Sequence, residues 1–119
     1  MSKINWGKKE RLSDRVVRFI LCLNMEELGK LTKEKIAQVF EVEIAYLLEQ
    51  FKKQKCITLQ RYIIREKIHR AFFKLETNQS DSIESISNRL GFRRIDEFEL
   101  EFKNYLYIPP KKFKELRNR

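Results

Sequence analysis

The chain has 119 residues, 42% of them hydrophobic, with three Gly and two Pro. That length makes one compact unit or two very small lobes, and so few turn formers argue against an all-β fold and for helices. Twenty-six basic residues against seventeen acidic ones leave a net charge of +9, which suits an anionic partner, nucleic acid ahead of a membrane surface.

Residues 1–12 form a basic, unpatterned arm that is expected to be flexible. From Ser13, read as a helix cap, an apolar stripe of Val16, Val17, Ile20 and Leu23 with Phe19 predicts a helix that stops at Gly29. Thr32 caps a second helix with Ile36, Ala37 and Phe40 facing inward. A tight connection at Glu41-Val42-Glu43 leads to a third, from about Ile44 to Lys53. Thr58 caps a long helix to about Leu75, burying Leu59, Tyr62, Ile63, Ile68, Ala71, Phe72 and Leu75 in part. Glu76 to Asp81 reads as a polar loop. Asp81 with Glu84 three residues on suggests a capping box for a helix ending near Leu90, and Gly91 tolerates positive φ beyond it. A sixth helix is expected from about Ile95 to Tyr105, and Pro109-Pro110 opens a short seventh.

The chain repeats itself. Ile36, Phe40, Val42, Leu47 and Phe51 recur as Ile86, Leu90, Phe92, Phe98 and Phe102, with one more residue in the second turn. Each copy is a short helix, a tight turn and a second helix ending on an apolar pair four residues apart, which is the helix-turn-helix plan. The expected fold is therefore all-α: two helix-turn-helix units, at about 13–57 and 81–119, joined by a long shared helix at about 58–75, with about seven helices. Lobes of roughly fifty residues bury little surface alone, so a rigid helix that feeds both cores makes physical sense.

Several residues stand as they do in the AraC/XylS regulators: Ile36-Ala37, Leu47 to Phe51-Lys52, Tyr62, Lys67-Ile68 with Ala71 and Leu75, and Ile83 with Ile86. The segment GFRRIDEFELEFKNYLYIPPKKF adds a Gly-Phe turn, paired aromatics and a late Pro at matching spacing. From about Ser13 to Arg117 the chain resembles the DNA-binding region of that family. The resemblance implies two second helices that enter major grooves about one DNA turn apart. It also implies a sensing domain in most members. None is expected within this chain, which reads as a stand-alone short regulator or a fragment.

Enzyme chemistry finds no footing. The one histidine, His69, lies in the long helix with no partner motif, and HEXXH, glycine-rich phosphate loop and nucleophile elbow are all missing. No catalytic residue, metal site or cofactor is expected. No apolar run spans a bilayer, the N-terminus lacks a signal-peptide core, and Cys22 and Cys56 read as structural thiols of a cytoplasmic protein, Cys22 in the core. By the resemblance, Cys56 falls in a turn where the family usually has glycine.

Charge is uneven. Residues 1–18, 58–75 and 106–119 each carry +4, residues 32–55 carry +1 and residues 81–105 carry −2. Positive charge thus surrounds the helix-turn-helix units, as phosphate contacts from flanks and helix ends require, although a solvated face that keeps the protein soluble has the same composition. Matched to the family by position, the reading residues are Ala45, Leu48 and Glu49 in the first unit and Ile95, Asp96, Glu99 and Leu100 in the second. None is an arginine, and Glu49 and Leu100 fall where the family often has one. Glutamate can only accept, characteristically from cytosine, and leucine can only touch a thymine methyl. Asp96 and Glu97 sit where a helix dipole favours them, whereas Glu49, Glu99 and Glu101 would repel phosphate. Arg93 and Arg94 are the leading candidates for phosphate or base contact, with Lys52, Lys53 and Lys103 as phosphate neighbours.

The expected function is DNA-binding transcription regulation with weak or atypical base readout. The expected partners are double-stranded DNA, with RNA polymerase or another regulator in a second role, no membrane, and a monomeric or weakly dimeric chain. The alternative is a protein-interaction module that keeps the fold and has lost DNA reading. RNA is disfavoured because the Phe residues follow core spacing.

Overall fold

A computed structural model describes residues 10–77 and 80–117. Eight helices, and no strand, occur among them: α1 Leu12–Leu21, α2 Met25–Gly29, α3 Lys33–Phe40, α4 Ile44–Lys55, α5 Leu59–Thr77, α6 Ile83–Arg89, α7 Ile95–Leu106 and α8 Pro110–Arg117. Residues 1–9 of the expected arm lie outside the described residues, and α1 begins at Leu12.

The stretch read as one helix from Ser13 to Gly29 is two. Asn24 breaks it: its side chain accepts from the Glu27 backbone N–H at 2.8 Å while the Glu27 carboxylate accepts from the Asn24 N–H at 2.9 Å. This reciprocal capping box starts a new helix. Leu23 therefore belongs to a link, not a stripe. Ser13 is not a cap either. It is fully buried one residue inside α1, and its N–H donates to Gln54 Oε1 at 3.2 Å. Cys22, expected in the core, is exposed at the end of α1. At α6 the cap is Ser82, whose hydroxyl accepts from Ser85 N–H at 3.0 Å, and not Asp81. Asp81 instead faces Lys74 and Arg89 at 3.6 and 3.7 Å, and its carbonyl accepts from Lys114 Nζ at 2.7 Å. Thr32 caps α3 as expected, accepting from Lys35 N–H at 3.1 Å.

The helices divide into two compact units. The first comprises residues up to Cys22 and Thr32–Leu59; the second comprises Leu23–Leu31 and Gln60–Arg119. In the first, α1 and α3 pack on α4, and Val16, Ile20, Ile36, Leu47, Phe51 and Leu59 are buried together with almost no exposure. Phe19 meets Phe40 edge-on at 5.7 Å with the Arg15 guanidinium over the Phe40 ring, and Lys55 anchors α4 to Asp14 at 2.5 Å. In the second unit α2 and α7 pack on α6, and Leu28, Ile68, Leu75, Ile86, Leu90, Phe98 and Phe102 are buried. Aromatic contacts run Phe92–Phe98–Phe102–Phe113–Phe72 with ring centroids 5.1 to 6.3 Å apart.

The α2 helix thus belongs with the second unit although it precedes α3 and α4 in the chain. Arg70 on α5 donates to the Leu23 carbonyl at 2.7 Å, and Arg89 on α6 pairs with Glu26 at 2.7 Å. At the end of α2, Gly29 meets the α6–α7 turn backbone to backbone. A Cβ on Gly29 would stand 2.2 Å from Arg89 O, and one on Gly91 would stand 2.1 Å from Gly29 O.

Candidate nucleic-acid interface

Each unit holds one helix-turn-helix, α3–α4 and α6–α7, and the two turns close with the same bonds. Val42 N–H donates to Ala37 O and Glu41 N–H to Gln38 O; Phe92 N–H donates to Ser87 O and Gly91 N–H to Asn88 O, at 3.0 to 3.2 Å. This pair of bonds requires a left-handed residue just after the helix, and Glu41 at φ 57° and Gly91 at φ 83° supply it. The repeat extends further than the sequence suggested. α4 and α7 both end on a left-handed residue, Cys56 at φ 62° and Tyr107 at φ 64°, whose N–H closes on Lys52 O and Lys103 O. Cys56 does occupy a glycine-like position.

Because Leu47 and Phe51 are buried, α4 turns Ala45, Tyr46, Glu49, Lys52 and Lys53 to solvent. Leu48, expected on the open face, is half-buried. Ala45, Glu49 and Lys52 lie on one row of the helix, at i, i+4 and i+7, and Lys52 and Lys53 follow Glu49 by three and four residues. Tyr46 is half exposed and was missed by the sequence reading; its place three residues before Glu49 on the same outward face was the available signal.

On α7, Phe98 and Phe102 are buried, and Ile95, Asp96, Leu100 and Lys103 are exposed, Leu100 at 60%. Glu99 is half-buried. Arg93 is exposed and forms no ion pair among the described residues, but Arg94 is occupied. It is the N-terminal boundary residue of α7, and its guanidinium grips the Asp96 carboxylate with bonds of 3.0 and 2.7 Å. Those bonds hold the Asp96 carboxyl below its usual range and raise the Arg94 guanidinium. Glu101 is no free groove-side acid either. It accepts two bonds from Arg61, at 3.0 and 2.9 Å, and is only 20% exposed in its side chain.

No cluster of three or more His, Cys, Asp or Glu side chains that could hold a metal ion occurs among the described residues, and no described helix is long and apolar enough to cross a membrane. His69 is exposed on α5.

No family model matches the chain. The Msm operon regulatory protein of Streptococcus mutans is 36% identical over 84 residues, which is 70% of this chain and 30% of that protein. The uncharacterized HTH-type transcriptional regulator YdiP of Escherichia coli is 27% identical over 92 residues, 77% of this chain and 30% of that one. The chain therefore spans under a third of the length of either relative. Among solved structures, the C-terminal domain of the response regulator AraT from Geobacillus stearothermophilus superposes with a TM-score of 0.74 at 22% identity, covering 88% of this chain and 84% of its own. An AraC-type transcriptional regulator from Chromobacterium violaceum gives 0.74 at 23% identity over 88% and 94%. The DNA-binding domain of AdpA, solved with a target DNA, gives 0.74 at 18% over 90% and 93%. At these identities the likeness establishes the fold. It is the double helix-turn-helix of AraC-type DNA-binding domains, as the sequence resemblance implied.

Proposed function

We propose that this chain is the DNA-binding part of a transcription regulator of AraC type, and that it holds duplex DNA by phosphate contact more than by base readout. One observation carries the reading. Both second helices turn a polar row outward beside exposed cations, Lys52 and Lys53 on α4 and Arg93 and Lys103 at α7, while the reading positions hold alkyl groups and carboxylates. Helix faces of that kind contact phosphate well and discriminate bases poorly. The regulator names of the two relatives, and the AdpA domain solved with its DNA, support the partner.

The proposed roles follow from placement. Lys52, Lys53, Lys103 and Arg93 neutralise phosphates; Arg94 does so only after releasing Asp96. Ala45, Leu48, Ile95 and Leu100 offer apolar contact to thymine methyls, and Glu49, Asp96 and Glu99 can only accept, from the amino group of cytosine first and of adenine second. The chain acts without catalysis or cofactor, in the cytoplasm, as a monomer or weak dimer, with RNA polymerase or another regulator in a second contact. Two helix-turn-helix units, α3–α4 and α6–α7, with the long α5 between them in the chain, belong to the same reading.

Fluorescence anisotropy with several unrelated duplexes at two salt concentrations tests the proposal. Binding should fall steeply with salt and vary little with sequence. An absence of binding at low salt would sink it. The competing reading, a protein-interaction module, draws on Ile95 and Leu100, 41% and 60% exposed on the same helix as Glu97 and Glu99.

A further inference from the structure

We propose that Arg61 and Glu101, with Tyr105, form a clamp that sets the pose of α7, so that Glu101 is a positioning residue of the second helix-turn-helix and not an acid aimed at the ligand. The inference rests on the DNA-binding reading above and deepens it.

Arg61 lies in the first turn of α5, forty residues from Glu101 in sequence. Its guanidinium meets the Glu101 carboxylate fork to fork, at 3.0 and 2.9 Å. The same Nη2 donates to Tyr105 Oη at 2.9 Å, and the guanidinium lies 5.5 Å from the Tyr105 ring centroid. Glu101 and Tyr105 are one helical turn apart, so a single arginine grips two successive turns of α7. The hydrogen bonds to Glu101 raise the Arg61 guanidinium well above its ordinary value. Bidentate geometry fixes direction as well as distance, which a lysine or a lone contact cannot do.

The first unit fills the same positions differently. Counting from the buried anchors Leu47 and Phe98, Gln50 and Gln54 on α4 correspond to Glu101 and Tyr105 on α7. Gln54 Nε2 donates to Gln50 Oε1 at 2.9 Å, and Gln54 Oε1 accepts from the Ser13 N–H in the first turn of α1 at 3.2 Å. In both units this i, i+4 pair ties the second helix to the opening turn of another helix of its own unit. The first unit uses neutral amides and the second uses charge. A neutral tether keeps its strength in salt, whereas a half-exposed ion pair is screened.

The clamp makes a prediction opposite in sign to simple electrostatics. Removing a carboxylate near DNA should strengthen binding, as expected for Glu99→Gln. Glu101→Gln should instead weaken it, by about fivefold. It should also speed amide exchange in α7 while leaving α4 unchanged. Arg61→Glu alone should do the same, and the exchanged pair Arg61→Glu with Glu101→Arg should recover both the affinity and the exchange protection. The measurement is duplex anisotropy together with hydrogen exchange on the free, full chain. Unchanged exchange in α7 in Glu101→Gln overturns the clamp, whatever happens to DNA. Tighter binding by Glu101→Gln overturns it too, because Glu101 then acts as a repelling charge. Failure of the exchanged pair to recover any protection would overturn the pairing of residues 61 and 101 as what holds α7. If the parent chain binds no duplex while α7 loosens as expected, the DNA-binding reading fails and the positioning role for DNA goes with it.

Discussion

At the scale of single residues, backbone conformation decides more than side-chain chemistry. Four described residues adopt positive φ, Glu41, Cys56, Gly91 and Tyr107, and each ends a helix of one helix-turn-helix. Only one of them is glycine, and it alone has no room for a side chain. A Cβ at Gly91 would stand 2.1 Å from the Gly29 carbonyl oxygen, which is backbone and cannot swing away. Gly91→Ala therefore combines left-handed strain of about 1–2 kcal/mol with a steric clash, and a total loss of about 3 kcal/mol or more is expected in denaturant melts. Cys56 is the reverse case. It is exposed at φ 62° with ψ 24°, so strain is its only backbone burden. Cys56→Gly removes that strain against a chain-entropy cost of about 0.5–1 kcal/mol, and the variant should be equal to the parent or more stable by up to about 1 kcal/mol. A Cys56→Gly protein that melts several degrees lower would refute this account of the α4 terminus.

At the scale of elements, the regular parts were legible because periodicity and caps speak locally. Thr32, Gly91 and Pro110 marked ends that the structure keeps, and the repeated apolar pattern located both helix-turn-helix cores. The misreadings share a cause. Val16, Ile20 and Leu23 look like one stripe, but Asn24 offers its own backbone-directed bonds and ends the stripe, a competition invisible to apolar spacing. The bonds of Arg94 and Glu101 were illegible for a related reason. One depends on how an exposed guanidinium folds back two residues, the other on a partner forty residues away. The assignment of α2 to the second unit also rests on distant residues, Arg70 and Arg89. Asn24→Ala should therefore cost about 1 kcal/mol and speed amide exchange in residues 25–29 and in α6, and leave α1, which adjoins it in sequence, protected. If α1 loosens and α6 does not, the grouping of α2 is wrong. Along α5, Leu59 belongs to the first unit and the rest to the second. Ala71 is fully buried in the middle of that helix, so Ala71→Pro should remove a hydrogen bond, clash with the preceding turn and cost about 3 kcal/mol or more. A mutant melting as sharply and as hot as the parent would contradict the placement of α5 in that core.

At the scale of the whole molecule, the net charge of +9 is the lever on which the proposed function turns. If phosphate contacts supply the affinity, each cation lost should flatten the salt slope by about one unit and weaken all duplexes alike. Arg93→Ala should show this in full. Arg94→Ala should show less, because the guanidinium is already spent on Asp96, and Asp96→Asn should free it and tighten binding. The double change Lys52→Ala with Lys53→Ala should remove about two units of slope, since both lysines are exposed and form no ion pair among the described residues. Changes to the acids should act oppositely. Glu49→Gln and Glu99→Gln remove carboxylates from the outward faces of α4 and α7 and should strengthen binding to every duplex. The protein-interaction reading predicts another pattern. There, the Gln changes leave DNA binding unaltered or absent, and Leu100→Asp, which places a charge on a side chain 60% exposed, abolishes a dimer or a partner complex without touching duplex affinity. Tight, sequence-selective binding by the unmodified chain would contradict both. It would require Leu48, Ile95 and Leu100 to read thymine methyls and Glu49 and Glu99 to accept from cytosine. Replacing thymine by uracil in the preferred site, which deletes the methyl and nothing else, would then cost affinity at each methyl read; on the phosphate reading the same replacement should cost nothing.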